Sequence, residues 1–245
     1  DTNSSLAGAL AAKKLKLPVI HVESGLRSFD GIPEETNRIL IDHMADLNLC
    51  PTISAGHNLA NEGLSRSACI VGNIMAEQRC YPRGEFTLPP GGLGYAVMTL
   101  HRQENMDVSP VERTLAAIGE VPGTVIWPKH PRCPHSAWPM NIDIREPMGY
   151  AEFGACLAGS RLVFTDSGGV QEEAYMWKVP CVTLRESTER VETLGANILA
   201  GTNPDNIIRA MEYHLKHPPE FPPIPLWDDQ VSERIVGHIK AKGWA

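Results

Sequence analysis

The sequence has no excess of positive charge, no long apolar run and no paired cysteines. Its formal net charge is −7, so the basic stripe expected of a nucleic-acid-binding surface is missing. No apolar stretch approaches the roughly 20 residues of a membrane-spanning helix, and no secretory leader is recognisable. We therefore expect a cytoplasmic protein that binds neither nucleic acid nor a membrane.

The six cysteines are scattered, with no Cys-x-x-Cys pair. Several lie among apolar neighbours, as Cys181 does, so we expect buried free thiols. Residues 130–135 bring two histidines and a cysteine together, which makes this stretch a candidate metal site. Its two prolines and its arginine fit a rigid loop better, and we predict no metal.

The sequence does contain a regular alternation of helical segments and short apolar runs. Apolar residues make up 42% of the 245-residue chain, enough for one large domain or two small ones. Because the apolar runs do not alternate with polar residues, they indicate strands buried on both faces of a parallel α/β sheet. The runs lie at residues 18–22, 45–50, 68–71, 95–100, 124–127, 162–165 and 179–184.

Two proline-rich segments divide the chain. The segment 81–94 contains three prolines and four glycines, as an interdomain linker would, and a second connector follows at 218–225. We predict one domain over residues 1–80, another over 81–225, and a C-terminal helix within 226–245 that packs back on the first domain. About three strands precede the linker, too few for a Rossmann-like sheet, so we expect the first domain to be incomplete.

A small-residue turn and a helix follow the strand predicted at 162–165. Gly168 and Gly169 let the backbone approach a ligand closely, because neither has a Cβ atom. The amides that open the helix would face an anion, which the helix dipole favours. Glu173 lies about one turn further on, where its carboxylate can reach ligand hydroxyls. This pattern fits a diphosphate linked to a ribose, and it also fits a packing junction that binds nothing.

Carboxylates follow another predicted strand. Residues 21–27 carry Glu23 between a histidine and an arginine, at the sheet edge where parallel α/β sheets bind ligands. Glu34 and Glu35 then occupy the first turn of a predicted helix, where the helix dipole alone would explain them. Two separate carboxylate motifs at one end of a sheet also suit general acid–base chemistry.

Cations follow two further strands. His101 and Arg102 come directly after the run 95–100, and Arg190 follows the run 179–184. Histidine and arginine can bind a phosphate or neutralise the charge of a leaving group. Two cationic strand ends beside the Gly-Gly turn therefore predict a diphosphate site.

In this order the motifs resemble the non-hydrolysing UDP-N-acetylglucosamine 2-epimerases, relatives of the GT-B glycosyltransferases. The resemblance spans nearly the whole chain and implies an α/β fold with a GT-B-like pair of Rossmann-like parallel-sheet domains. The N-terminal domain would be incomplete, because the family's opening strand and Gly-Thr-Arg-Pro-Glu loop have no counterpart in this sequence. The matching motifs lie at residues 21–26, 33–38, 71–73, 99–105, 165–173, 188–190 and 228–235.

The resemblance also implies a reaction. The family converts UDP-N-acetylglucosamine (UDP-GlcNAc) to UDP-N-acetylmannosamine (UDP-ManNAc) without a cofactor, by eliminating UDP and adding it back to a 2-acetamidoglucal. Amides and cations must stabilise the departing UDP, and carboxylates must exchange protons at both faces of C2. A cytoplasmic homodimer in cell-envelope polysaccharide biosynthesis is implied as well.

Roles for individual residues follow from the same resemblance. The catalytic residues would be Asp1, Glu23, Glu34 and His101. The UDP-binding residues would be Ser167, Gly168, Gly169, Glu173 and Arg190. Arg102 and His130 match a second, regulatory UDP-sugar site.

Three other functions fit part of the pattern. A GT-B glycosyltransferase could use the same UDP cradle, but it has less reason to carry Glu23 and Glu34. A hydrolysing epimerase would release UDP and free N-acetylmannosamine, whereas the motif at 34–38 favours the non-hydrolysing branch. A truncated, inactive UDP-sugar-binding module also fits, because catalysis needs positioned groups from both domains.

Overall fold

The chain folds into two compact units. Unit 1 comprises residues 1–81, 189–192 and 222–245, and unit 2 comprises residues 82–188 and 193–221. The structure, a computed structural model, describes residues 1–78, 94–102, 108–129 and 139–244. Within these ranges, no helix combines the length and the apolar character that a membrane crossing requires.

Unit 1 is built on a parallel sheet with the strand order β1-β2-β3. The central strand is completely buried, because it pairs with a strand on either side and helices cover its faces. The strands are β1 (Ile20–Val22), β2 (Leu47–Cys50) and β3 (Ala68–Ile70). The helices are α1 (Asn3–Lys14), α2 (Pro33–Met44), α3 (Ile53–Asn61), α4 (Met75–Gln78) and α9 (Val231–Ala241).

The C-terminal segment is tied into unit 1 next to β3. The Arg234 guanidinium donates to the Val71 carbonyl at 2.6 Å and to the Leu226 carbonyl at 2.9 Å. Gly72 has a φ of 93°, and a Cβ atom there would lie 2.0 Å from the Leu226 oxygen, so only glycine fits. Val231 of α9 is fully buried against the sheet. The motif at 71–73 therefore forms a structural joint for the end of the chain.

Unit 2 is built on a six-stranded parallel sheet with the order β6-β5-β4-β7-β8-β9. With β4 counted as strand 1, this is the 3-2-1-4-5-6 order of a Rossmann fold. The chain adds β5 and β6 on one side of β4 and then β7 to β9 on the other side, so the switch point of the strand order lies between β4 and β7. The strands are β4 (Tyr95–Thr99), β5 (Thr124–Pro128), β6 (Ile142–Arg145), β7 (Leu162–Thr165), β8 (Cys181–Thr183) and β9 (Asn197–Leu199). The helices are α5 (Val108–Gly119), α6 (Tyr150–Ala158), α7 (Gly168–Met176) and α8 (Pro204–Lys216).

The predicted α/β class with parallel sheets is confirmed. Each of the seven predicted apolar runs overlaps a strand, whereas β6 and β9 were not predicted. Both unpredicted strands lie at the edges of the six-stranded sheet and are only partly buried. In β6 apolar and charged residues alternate, and the apolar part of β9 is only Ile198 and Leu199, so neither strand stands out in the sequence. The linker segment predicted at 81–94 lies outside the described residues, except for Gly94.

The described cysteines carry free thiols, as predicted. Cys50, Cys156 and Cys181 are buried, and Cys69 is partly buried. Burial raises the pKa of Cys50 to about 11 and the pKa values of Cys156 and Cys181 to about 12. These thiols therefore remain protonated and unreactive at neutral pH.

Candidate active site

The carboxyl ends of β4 and β7 are level with each other where the strand order of unit 2 reverses. Thr99 pairs with Thr165 in register, and their hydroxyl oxygens lie 2.6 Å apart. His101 follows the first of these strands and Ser167 follows the second. Because ligands bind at such a switch point in open α/β sheets, both residues stand at the expected binding edge.

Ser167 caps helix α7. Its hydroxyl accepts a hydrogen bond from the Val170 amide at 3.4 Å, and its own amide donates to the Thr165 hydroxyl at 3.0 Å. A Cβ atom at Gly169 would meet nothing closer than the Ser167 hydroxyl, 3.9 Å away. The packing of the protein therefore does not demand glycine at this position. Close approach of a ligand to the helix amides does explain it.

Glu173 lies on the same helix with only 9% of its surface exposed. Burial raises the pKa of its carboxyl group to about 7. Tyr150, at the start of α6, is close by: burial raises the pKa of its phenol, and the Glu173 charge raises it further. A buried carboxyl group with a perturbed pKa beside a binding edge is a candidate functional group.

Asp166, immediately before the cap, is fully buried and holds the His101 loop. Its carboxylate oxygen Oδ1 lies 2.7 Å from His101 Nδ1, and Oδ2 accepts from the Arg102 amide at 2.9 Å. The Arg102 side chain donates to the Asp166 carbonyl at 3.2 Å. Asp166 was part of the predicted motif but had no predicted role.

A pocket of about 290 Å³ opens at this edge of unit 2. His101, Ser167 and Lys129 line its polar part, and Met148 and Phe153 belong to its apolar wall. The structure thus brings His101 and Ser167 to one pocket, with Gly169 and Glu173 following on the same helix as Ser167. His130 lies outside the described residues.

In unit 1, the predicted catalytic carboxylates gather around the start of α2. Arg38 is almost fully buried, and its Nε atom lies 3.7 Å from the Asp1 carboxylate. The charges of Arg38, Glu23 and Glu34 all act on residue 1, so these three side chains lie within electrostatic range of it.

The neighbours Glu34 and Glu35 differ in their surroundings. Glu35 is buried and accepts hydrogen bonds from the amides of Ser28 and Phe29 at 3.1 Å each, so it shapes the preceding loop. Glu34 is exposed, and its carboxylate makes no hydrogen bond or ion pair in the described part of the chain. Glu34 is thus available for a ligand, while Glu35 has a structural role.

The backbone at Glu23 adopts a left-handed conformation, with a φ of 62°. This conformation is uncommon for a residue with a side chain and costs of order 1 kcal/mol or more. The fully buried Asp42 holds the turn: it accepts from the Gly25 amide at 3.1 Å and lies 2.6 Å from His21 Nδ1 and 2.7 Å from Arg27. The turn follows β1 directly, so Glu23 stands at the carboxyl end of that strand.

Asp42 was missed from the sequence. A signal was present, because Glu35, Arg38 and Asp42 recur at intervals of three and four residues and so share one face of α2. All three are buried. Charged residues at the spacing of a core face indicate a buried polar network.

Arg190 belongs to the short segment of unit 1 at 189–192. Its Nη2 atom lies 3.4 Å from the Glu23 carboxylate. The Ser54 hydroxyl donates to Glu192 and holds the same segment. The structure therefore groups Arg190 with the carboxylates of unit 1. No cluster of metal-binding side chains occurs among the described residues, and residues 130–135 lie outside them.

Comparison with known proteins gives one consistent family. Residues 1–240 match the family model described as UDP-N-acetylglucosamine 2-epimerase. The chain is 43% identical over 228 residues to the UDP-2,3-diacetamido-2,3-dideoxy-D-glucuronate 2-epimerase of Pseudomonas aeruginosa, covering 86% of this chain and 64% of that protein. It is 40% identical over 265 residues to the UDP-N-acetylglucosamine 2-epimerase of Methanocaldococcus jannaschii, covering 96% of this chain and 72% of that protein.

A solved structure agrees with this result. The crystal structure of the M. jannaschii epimerase in complex with UDP-GlcNAc and UDP is similar with a TM-score of 0.84 at 35% identity. The match covers 98% of this chain and 74% of that one. It confirms the predicted GT-B-like fold class. The chain spans 64% to 72% of the length of the two sequence relatives.

Proposed function

Because the chain belongs to the UDP-N-acetylglucosamine 2-epimerase family, we propose that it catalyses the reversible C2 epimerisation of UDP-GlcNAc to UDP-ManNAc. The observation that carries the proposal is the group of carboxylates near residue 1, in which the Asp1 carboxylate lies beside Arg38 and the charges of Glu23 and Glu34 act on the same residue. A protein that only binds a nucleotide has no need for Asp1, Glu23 and Glu34 in one place, whereas proton exchange at a carbon atom does need such groups.

Unit 2 supplies the groups that bind UDP. The helix amides at Gly168 and Gly169 and the Ser167 hydroxyl hold the phosphates, and Glu173 accepts hydrogen bonds from the ribose hydroxyls. The apolar wall at Met148 and Phe153 fits the uracil ring. The open space at Gly169 supports this assignment, because it leaves the amides accessible.

The reaction begins when the bond between C1 and the phosphate oxygen breaks, and UDP leaves with the electron pair. The helix amides and His101 stabilise the charge that develops on the diphosphate. A carboxylate then removes the C2 proton, which gives a 2-acetamidoglucal with a double bond between C1 and C2. Return of a proton to the other face and re-addition of UDP complete the inversion, with Asp1, Glu23 and Glu34 as the acids and bases.

The domain roles follow from this mechanism. We propose that residues 1–80, together with the helix within 226–245, form the domain that carries the catalytic carboxylates. Residues 81–225, apart from the segments 189–192 and 222–225 that belong to unit 1, form the UDP-binding domain.

The test is incubation of the protein with UDP-GlcNAc in deuterated water, followed by NMR of the products. We expect UDP-ManNAc that carries deuterium at C2. Glu34→Gln and Glu23→Gln should each lower turnover at least about 100-fold, while the exposed Glu212→Gln should turn over normally. Free UDP with N-acetylmannosamine would mean a hydrolysing enzyme, and UDP binding without exchange would mean a binding module. Turnover only with an added sugar acceptor would mean a glycosyltransferase.

A second candidate substrate is a UDP-2,3-diacetamido-hexuronate. The observation that favours it is the 43% identity to the P. aeruginosa protein, whose name gives that substrate. The comparison of kcat/KM for the two UDP-sugars decides between them. A ratio of kcat/KM above about 100 in favour of one UDP-sugar identifies it as the natural substrate. Such a ratio corresponds to about 3 kcal/mol of differential transition-state binding.

The family resemblance also supports a cytoplasmic homodimer and a regulatory UDP-sugar site at Arg102 and His130. Sedimentation equilibrium measures the oligomeric state. For the regulatory site, Arg102→Ala should abolish any dependence of UDP-ManNAc turnover on added UDP-GlcNAc. Unchanged dependence in that variant would remove Arg102 from the regulatory site.

A further inference from the structure

We propose that Asp166 is a positioning residue that sets the tautomer of His101 and presents the Nε2 atom of that ring to the diphosphate. This role rests on the proposed function, in which His101 acts on departing UDP. The family resemblance assigns no role to Asp166.

Asp166 links the ends of two adjacent strands through its carboxylate. Oδ1 lies 2.7 Å from His101 Nδ1, and both oxygens lie 3.1 Å from the His101 amide nitrogen. Oδ2 also accepts from the Arg102 amide at 2.9 Å. Asp166 itself is completely buried. The carboxylate therefore faces three N–H groups of the His101 loop.

An ionised carboxylate can only accept hydrogen bonds. His101 must then carry its proton on Nδ1 when it faces Asp166, so that in the neutral ring Nε2 holds the lone pair. The ring side chain is 45% exposed and lines the same pocket as Ser167. Nε2, on the far side of the ring from Asp166, is therefore the atom that takes up the second proton, and the protonated ring then donates from Nε2 to a ligand phosphate.

A merely structural Asp166 would hold the loop and do nothing more. Asp166→Asn separates the two roles, because its amide oxygen still accepts from the backbone amides while its NH₂ group faces His101 Nδ1. The substituted side chain then favours a proton on Nε2, which is the opposite tautomer. Loop support is retained and the tautomer is inverted.

The experiment compares wild type, Asp166→Asn, His101→Gln and the double variant, with the exposed Asp205→Asn as the matched control. Imidazole ¹⁵N NMR at pH 8 reports the tautomer, and the His101 signal is assigned by its loss in His101→Gln. We expect an Nδ1–H tautomer in wild type and in Asp205→Asn, and an Nε2–H tautomer in Asp166→Asn. UDP should perturb the Nε2 signal of the wild type.

For turnover, we expect kcat to fall on the order of 100-fold in Asp166→Asn, because the Asn NH₂ group cannot accept from Nδ1–H and so disfavours the protonated ring that neutralises departing UDP. The Kd for UDP should change less than about threefold. The double variant should be no slower than His101→Gln, because Asp166 acts through His101. An Nε2–H tautomer in wild type, full turnover of Asp166→Asn, or additive losses in the double variant would each overturn the proposal.

The wild-type tautomer and its response to UDP need neither a variant nor turnover. These two measurements therefore test the proposal even if Asp166→Asn does not fold. They also test it if the protein binds UDP without epimerising a UDP-sugar, so this proposal can fail or hold independently of the proposed function.

Discussion

At the scale of a single residue, Glu173 shows how a buried binding group can lower the folding stability of the protein. Its folded-state pKa of about 7 lies above the ordinary value of 4.5, because burial disfavours the charged form. The folded state thus holds the proton more tightly than the unfolded state. The stability of the fold therefore decreases as the pH rises from about 4.5 to about 7, and the full cost persists above that range.

Glu173→Gln should consequently stabilise the protein at pH 8, by up to about 3 kcal/mol. At pH 5 the difference should shrink to less than about 1 kcal/mol. Chemical denaturation at both pH values measures this, with Glu212→Gln as an exposed control that shows no such trend. Uridine, which has no phosphate, should bind wild type more tightly as the pH rises through 7, and the variant should lose that dependence. A variant that is less stable at pH 8 would contradict the argument.

Two glycines lead to opposite predictions. Gly169→Ala should leave the melting temperature unchanged or slightly higher, because a Cβ atom has room and alanine favours a helix. Its Kd for UDP should rise at least about tenfold, since the methyl group blocks the amides. Gly72→Ala should instead lower the free energy of unfolding by at least about 2 kcal/mol, because its Cβ atom would meet the Leu226 carbonyl. Thermal melts and UDP titrations of both variants check the pair.

Helix α2 shows at the scale of an element how much the sequence could reveal. The carboxylates at its start were predictable, because polar residues that follow buried strands gather at one edge of a parallel sheet. The buried faces of Arg38 and Asp42 were not predicted, since charged residues in a helix ordinarily face solvent. Their burial depends on Asp1, His21 and the loop after β1, which are distant in sequence.

The same helix gives a prediction from adjacent residues. Glu35→Gln should lower the free energy of unfolding by about 1 to 3 kcal/mol, because it weakens the charge-assisted acceptor of the Ser28 and Phe29 amides. Glu34→Gln should leave stability unchanged and abolish C2 deuteration. Urea denaturation and the deuteration assay measure the two effects. If Glu34→Gln unfolded more easily than Glu35→Gln, Glu34 rather than Glu35 would have the structural role.

At the scale of the whole molecule, unit 1 is assembled from separate stretches of chain. Val231 is fully buried against Leu47, Leu49 and Val71, and Arg234 binds backbone carbonyls beside Gly72. Deletion of residues 222–245 should therefore expose the sheet of unit 1. Hydrogen exchange should show lost protection of β2 in unit 1 and retained protection of β4 and β7 in unit 2. Equal loss in both units would contradict the division into two units.

The return of residues 222–244 to the first sheet also has a consequence for synthesis on the ribosome. Residues 1–78 are translated before unit 2, whereas helix α9, which packs against their sheet, is translated after it. Unit 2 is complete by residue 221, so it has all its strands before unit 1 has its cover. Leu47, Leu49 and Val71 therefore lack their contact with Val231 until unit 2 has been translated, and exposed apolar side chains of this kind make an incompletely folded unit prone to aggregation.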